Sequence, residues 1–357
     1  MAKICHIFYD CEHTQRFMPF FRDSFPEHQH SIVFAGGSFW DPVHHKPELG
    51  VVYTNLLLGS EAEPVMREAD KILFHSIFCR EPELGRLLLE EDLLRKSVWI
   101  PWGADLFYAT NLEDPVAPDS IFGITMPYRI EFMRRVSAIC SGAYEYNVAV
   151  AVSGTTAVHF ETYLPLAFNL DEMIRSFPAD RKKATAPLTI WVGNSATSTN
   201  RHLDAFQKLR TLTEGLDFRV VCPLSYGDKF STITAAGREY FGDKFSSLDK
   251  ILSVPEFISE LDKSDIVLMN HIRPQGFGSI LMALLLGKFV VTESLGTQHW
   301  LETYALPHFQ LSELLRCSKE YLIQEASHYQ VQNRQKLSHL YSTETLINTW
   351  RRVLSPG

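Results

Sequence analysis

Apolar and polar positions along this chain fall into two kinds of block. Short, nearly continuous apolar runs at 3–9, 31–35, 71–75, 97–101 and 137–141 read as strands. Between them, the stretches 60–69, 82–95, 128–135 and 143–152 carry apolar residues at helical spacing. The second half repeats the pattern. There "LTIWVG" (188–193), "FRVVCP" (218–223), "DIVLMN" (265–270) and "KFVVTE" (288–293) alternate with helical stretches at 200–213, 229–240, 255–262 and 278–286. A strand that is apolar at every position is buried on both faces, which predicts parallel sheets covered by helices on each side.

The two runs are separated by "RSFPADRKKATAP" (175–187), a polar stretch bounded by prolines and the best linker in the chain. The expected fold is therefore α/β, with two doubly wound, Rossmann-like domains facing a central cleft. One covers 1–180 and the other 187–317, with amphipathic helices over 318–357 packing back on the first. In such sheets ligands bind beyond the carboxyl ends of the strands, so chemistry is expected in the loops that follow them.

Composition narrows the class. A chain of 357 residues suits two domains of about 150 each. The net charge of -8 argues against a general nucleic-acid binder. Six scattered cysteines without a CxxC pair point to a reducing compartment and no structural zinc. The chain opens directly on the strand "KICHIFYD" without a secretory signal. Its longest apolar run, Ile280 to Leu286, is far shorter than the roughly 20 residues that span a bilayer. These features predict a cytoplasmic protein. "ITMPYRIEFMRRV" (124–136) is either a core-facing helix or an amphipathic surface for peripheral contact with anionic lipid.

Several post-strand loops carry candidate chemistry. In "WVGNSATSTNRH" (191–202), Gly193 admits close backbone approach, Asn194 and Ser195 offer small donors, and Thr199 or Asn200 suits the cap of the next helix. This is an anion site in outline or simply a capped turn, and spacing alone leaves both open. Tyr226 in "VVCPLSYGDK" is placed to stack on a base or to be an ordinary surface tyrosine. In "NHIRPQGFGS", Arg273 suits forked bonds to a diphosphate, Gln275 adds a neutral donor, and Gly276, Gly278 and Ser279 open a helix start. Glu293 ends the next strand. On the first domain, Trp102 and Gly103 lead to Asp105, either a general base or a helix cap, and His75 ends its own strand. His44-His45 has no matching metal-ligand partner. No P-loop, Gly-x-Ser-x-Gly, HExxH or Asp-x-Asp occurs, so a reaction free of metal and cofactor is expected.

As a set, "LFHSIF" (73–78), "WGADLFY" (102–108), "WVGNSATSTNRHLDAF" (191–206), "VVCPLSYGDK" (220–229) and "RPQGFGSILMALLLGKFVV" (273–291) resemble one family in order and spacing over about residues 70–310. That family is the TDP-N-acetylfucosamine:lipid II N-acetylfucosaminyltransferases of glycosyltransferase family 56 (4-alpha-L-fucosyltransferase-like). They make enterobacterial common antigen. The resemblance implies a GT-B fold and a dTDP-linked 4-acetamido-4,6-dideoxygalactose (Fuc4NAc) donor. It also implies a polyprenyl-diphosphate-linked acceptor, met peripherally at the cytoplasmic face of the inner membrane. Many GT-B enzymes carry glutamates in the segment matching 273–291; this chain has Gln275 and Met282 there, and Glu293 is a candidate substitute. Asp105 ranks before His75 as base if the reaction inverts. The rival readings are a sugar-nucleotide epimerase of the same build and a non-catalytic partner in a polysaccharide assembly complex.

Overall fold

The computed structural model describes residues 1–9, 17–35, 51–54, 56–78, 81–107, 126–166, 168, 170–177, 187–227 and 229–355. The linker over 178–186 and His44-His45 lie outside the described residues. Two compact units result, Met1–Ala167 with Tyr341–Gly357, and Phe168–Leu340.

Unit 1 holds a seven-stranded sheet: β1 (Lys3–Tyr9), β2 (Gln29–Ala35), β3 (Val51–Thr54), β4 (Lys71–His75), β5 (Ser97–Ile100), β6 (Ala138–Ser141) and β7 (Val158–Glu161). The strands are ordered β3-β2-β1-β4-β5-β6-β7 and every pair is parallel. Successive side chains of β1 enter opposite cores. Cys5 and Ile7 pack with Val33, Phe74 and Trp99, while Ile4 and Phe8 pack with Phe21, Phe34 and Leu73. That double burial is why the strand reads as a continuous apolar run.

Unit 2 repeats the plan with β8 (Leu188–Val192), β9 (Phe218–Pro223), β10 (Phe245–Leu248), β11 (Ile266–Met269) and β12 (Phe289–Thr292), ordered β10-β9-β8-β11-β12 and parallel. In both sheets the first strand has its successors on one side and later strands on the other. The order reverses between β1 and β4 in unit 1 and between β8 and β11 in unit 2.

The C-terminal segment divides between the units. Helix Lys319–Leu340 belongs to unit 2, where Asn333 Nδ2 and Arg334 Nε donate to the Leu284 and Leu285 carbonyls that end helix Phe277–Leu285. Helix Thr343–Leu354 belongs to unit 1 and contributes Trp350, Val353 and Leu354 to its core. Ser342 caps this last helix by accepting from Thr345 N at 3.1 Å.

Helix Met126–Arg135 turns Phe132 and Met133 into the unit 1 core. Its arginines have intramolecular partners: Arg134 Nε donates to the Ser153 carbonyl at 3.0 Å, and Arg135 Nη1 to the Leu88 carbonyl at 2.6 Å. The segment is built as a core-facing helix. Among the described residues no helix is long and apolar enough to cross a membrane.

Candidate functional site

The loops after β8, β9 and β11 meet at the carboxyl end of the unit 2 sheet, straddling the point where strand order reverses. Asn200 is the hub. Its Oδ1 accepts from Asn194 N at 2.8 Å and from His271 Nε2 at 2.9 Å, tying the β8 loop to the β11 loop. Its Nδ2 donates to Ser195 Oγ at 3.0 Å and Thr197 Oγ1 at 2.8 Å. The helix cap expected of Thr199 or Asn200 does not form; helix His202–Leu212 starts from Arg201 without a side-chain cap. Asn200 is fully buried, and its four bonds fix the loop shape instead.

Two further contacts extend the network. Asn194 Nδ2 donates to the Tyr226 hydroxyl at 2.8 Å, and Gln275 Nε2 reaches Asn194 Oδ1 at 3.4 Å. The backbone bond from Ala196 N to the Tyr226 carbonyl, 2.7 Å, docks the β9 loop on the β8 loop. The Tyr226 residue is 52% exposed, so its ring offers a free face. Burial of the hydroxyl end raises its pKa, against the lowering influence of hydrogen bonds with Ser195 and Asn194 and of the Arg273 charge. Arg273 itself is buried.

Glycine is required at two of these points. Gly193 and Gly276 both have positive φ, +74° and +63°. A Cβ on Gly193 would stand 2.7 Å from Asn200 Oδ1, and one on Gly276 would stand 2.9 Å from Asn194 Cγ. Gly278 differs: a Cβ there meets nothing within 4 Å, so packing does not demand it. Gly276 is the N-cap of helix Phe277–Leu285, with no side-chain cap. The first-turn N–H groups, those of Gly278 and Ser279 included, therefore have no intrahelical acceptor and carry the positive end of the helix dipole. Small side chains, uncapped N–H groups and a buried guanidinium together suit an anion.

Glu293 stands apart from this network. It pairs with Lys208 at 3.5 Å, and Lys208 also contacts Asp204 and Asn270. Among the described residues, no group of three or more His, Cys, Asp or Glu is placed to hold a metal ion.

The unit 1 candidates lie at the carboxyl ends of β4 and β5. Asp105 is fully buried. Its carboxylate accepts from Ile77 N at 3.1 Å, Trp99 Nε1 at 2.9 Å and Trp102 N at 2.8 Å. Burial raises its pKa while these donors lower it. Asp105 thus ties the β4 and β5 loops together through three donors. Trp102 and Gly103, the latter at φ +88°, shape the same turn. His75 is fully buried and contacts His6, with Nε2 to Nδ1 at 3.1 Å. Sequence reasoning had not assigned Asn200 or His271 as loop-joining residues, nor His6 at all. Each acts through a partner distant in sequence.

The chain matches the family model described as 4-alpha-L-fucosyltransferase glycosyl transferase group 56 over residues 62–356. Solved structures with the same architecture include HepE of Anabaena in complex with UDP and glucose, at 14% identity and TM-score 0.64, covering 99% of each chain. Sucrose-phosphate synthase of Thermosynechococcus elongatus is 12% identical at TM-score 0.66, covering 99% of this chain and 98% of that one. WaaG, a glycosyltransferase of lipopolysaccharide biosynthesis, is 12% identical at TM-score 0.56 over all of both chains. These identities establish the fold alone, and that fold is GT-B.

Proposed function

The chain belongs to the 4-alpha-L-fucosyltransferase glycosyl transferase group 56 family, and from that premise we propose that it transfers a Fuc4NAc-like sugar from a dTDP-linked donor to a polyprenyl-diphosphate-linked saccharide. That it is a glycosyltransferase follows from the family. The donor, the acceptor, a role in enterobacterial common antigen synthesis and peripheral work at the cytoplasmic face of the inner membrane are our reading. One observation carries the donor side: Arg273, the Asn194-Ser195 turn and an uncapped helix start converge at the unit 2 switch point.

The chemistry follows from charge. As the glycosidic bond lengthens, the sugar gains oxocarbenium character and negative charge develops on the departing diphosphate. The N–H groups at Gly278 and Ser279 and the Arg273 guanidinium are preorganised for that charge, and their effect is largest where the charge is largest. A cationic side chain with helix N–H groups performs the neutralisation that a divalent ion performs in other enzymes, so we propose a metal-independent reaction. Tyr226 offers its exposed ring to the base and Gln275 its amide to the sugar or diphosphate. Glu293, paired with Lys208, is left to the rim.

The test is a thermal-shift panel of dTDP, UDP, GDP and CMP, followed by incubation of the dTDP-sugar with and without a polyprenyl-diphosphate saccharide. Preferential stabilisation by dTDP and product only with acceptor are expected. Conversion of the sugar nucleotide without acceptor would replace the transferase reading by an epimerase one.

A further inference from the structure

Unit 1 carries a buried histidine chain that the nucleotide reading leaves unused. His6 on β1, His30 on β2 and His75 on β4 touch in series. His75 Nε2 lies 3.1 Å from His6 Nδ1, His6 Nε2 lies 2.9 Å from His30 Nδ1, and His30 Nε2 lies 3.1 Å from the Phe25 carbonyl oxygen. His6 and His75 are fully enclosed and His30 is half-buried. Phe8 stacks on the His75 ring at 3.9 Å between centroids, and Phe21 meets its edge.

The end of this chain fixes every tautomer in it. A carbonyl oxygen only accepts, so His30 Nε2 must carry a proton. A neutral ring has one N–H, which leaves His30 Nδ1 a lone pair that takes the Nε2–H of His6. The same step makes His6 Nδ1 a lone pair that takes the Nε2–H of His75. Burial keeps the rings neutral, holding His6 well below its ordinary value, His75 at about 3 and His30 lowered. The last atom in the series, His75 Nδ1, is then a lone pair. It is buried and has no hydrogen-bond partner among the described residues.

Its place in the sheet points to a ligand. His75 is the last residue of β4, and strand order reverses between β1 and β4, the position where open α/β sheets bind ligands. Register pairs Phe8 with His75 and His6 with Leu73, so His6 lies on the amino-terminal side of His75. The two nitrogens of an imidazole diverge, and Nδ1 therefore faces away from that side.

We propose that His75 Nδ1 accepts a hydrogen bond from a sugar hydroxyl bound at the strand ends of unit 1, and that His6 and His30 are positioning residues that hold it in the accepting tautomer. This rests on the glycosyltransferase reading and adds a saccharide contact that the nucleotide loops do not provide. A buried acceptor without a donor carries an unrepaid desolvation cost, which an incoming hydroxyl removes.

Nitrogen-15 NMR of the full chain with labelled histidine reads the tautomers directly. Nε2–H is expected at His6, His30 and His75, with His75 Nδ1 shifting when a sugar binds; Nδ1–H at His75 would overturn the proposal. Two probes separate the sources: dTDP-Fuc4NAc compared with dTDP for the donor sugar, and a polyprenyl-diphosphate disaccharide for the acceptor. A shift with either supports the proposal and identifies the sugar. No shift with either, while dTDP still stabilises the protein, overturns it and leaves the nucleotide reading standing. Absence of binding by any nucleoside diphosphate in the panel would remove both.

His30 supplies the positioning test. In His30→Gln the amide donates to the Phe25 carbonyl and accepts from His6, so tautomer and sugar KM are expected to persist. In His30→Phe both are lost; mixed tautomers at His75 and a rise in KM of about tenfold are expected, the order of one lost hydrogen bond. An unchanged His75 spectrum and KM in His30→Phe would show the chain to be structural only.

Discussion

The two sheets share one topology and finish it differently. At the carboxyl ends of unit 2, strands run into Gly193 and Gly276 at positive φ, small polar side chains and an uncapped helix start. At the same ends of unit 1 they run into Trp99, Phe8 and the fully buried Asp105 and His75. The first arrangement leaves backbone N–H groups without a side-chain cap; the second encloses ionisable side chains in aromatic packing. Substitutions in unit 2 should therefore act first on turnover, and those in unit 1 first on stability.

The largest separation is expected at Arg273. Arg273→Ala should lower kcat/KM by roughly 100-fold or more, as losing a charge-stabilising donor does, with circular dichroism unchanged. Steady-state kinetics with the dTDP-sugar check it, and near-normal turnover would break the contrast on the unit 2 side. Gly276→Ala comes next. A Cβ would press on Asn194 and His271 in a left-handed backbone, costing about 1–3 kcal/mol of stability together with a loss of roughly tenfold or more in activity. Gly278→Ala sharpens the point, because open space surrounds that position. It should leave the melting temperature unchanged while still lowering activity, if backbone approach to the diphosphate is its role.

Asp105→Asn should show the reverse pattern. An amide cannot accept from Ile77 N, Trp99 Nε1 and Trp102 N as the carboxylate does. Denaturant unfolding should record a loss of about 2–4 kcal/mol, with turnover per folded molecule within a few-fold of the parent. A large kinetic loss without destabilisation would restore Asp105 as a base.

The pH dependence of stability should not distinguish the units. Burial holds His75 and His271 at about 3 and His202 at about 4. The unfolded chain takes up protons near pH 6.5 that these native rings refuse. Their contribution is complete above that pH and declines as pH falls toward 4, by roughly 1 kcal/mol per unit for each ring. Melts at pH 7, 6 and 5 should therefore show falling stability, and a flat profile would contradict the burial of these rings.

Much of this arrangement was legible in the sequence, and the remainder was hidden for definable reasons. The interior strands β1, β4, β5, β8 and β11 announced themselves because both faces are buried. β3, β7 and β10 did not. They are four-residue edge strands with half-exposed patterns, and their apolar runs are short or broken. The loop glycines and Arg273 were readable because conformational freedom and a forked cation belong to the residue type. Asn200 and His271 were not, since their roles come from closure between loops 71 positions apart. The histidine chain is hidden for the same reason, its members lying 24 and 69 positions apart. The aspartate at 105 reads in sequence as a base or a helix cap; its tie between the β4 and β5 loops rests on donors up to 28 positions away and is not legible there.

Under the proposed function the unit 2 loops hold a nucleoside diphosphate through Arg273 and the helix start at Gly276. Calorimetric titration of dTDP into the parent protein and Arg273→Ala separates the two outcomes. Measurable binding by the parent and at least tenfold weaker binding by the variant, at an unchanged melting temperature, are expected; equal affinity in the two proteins would rule the site out.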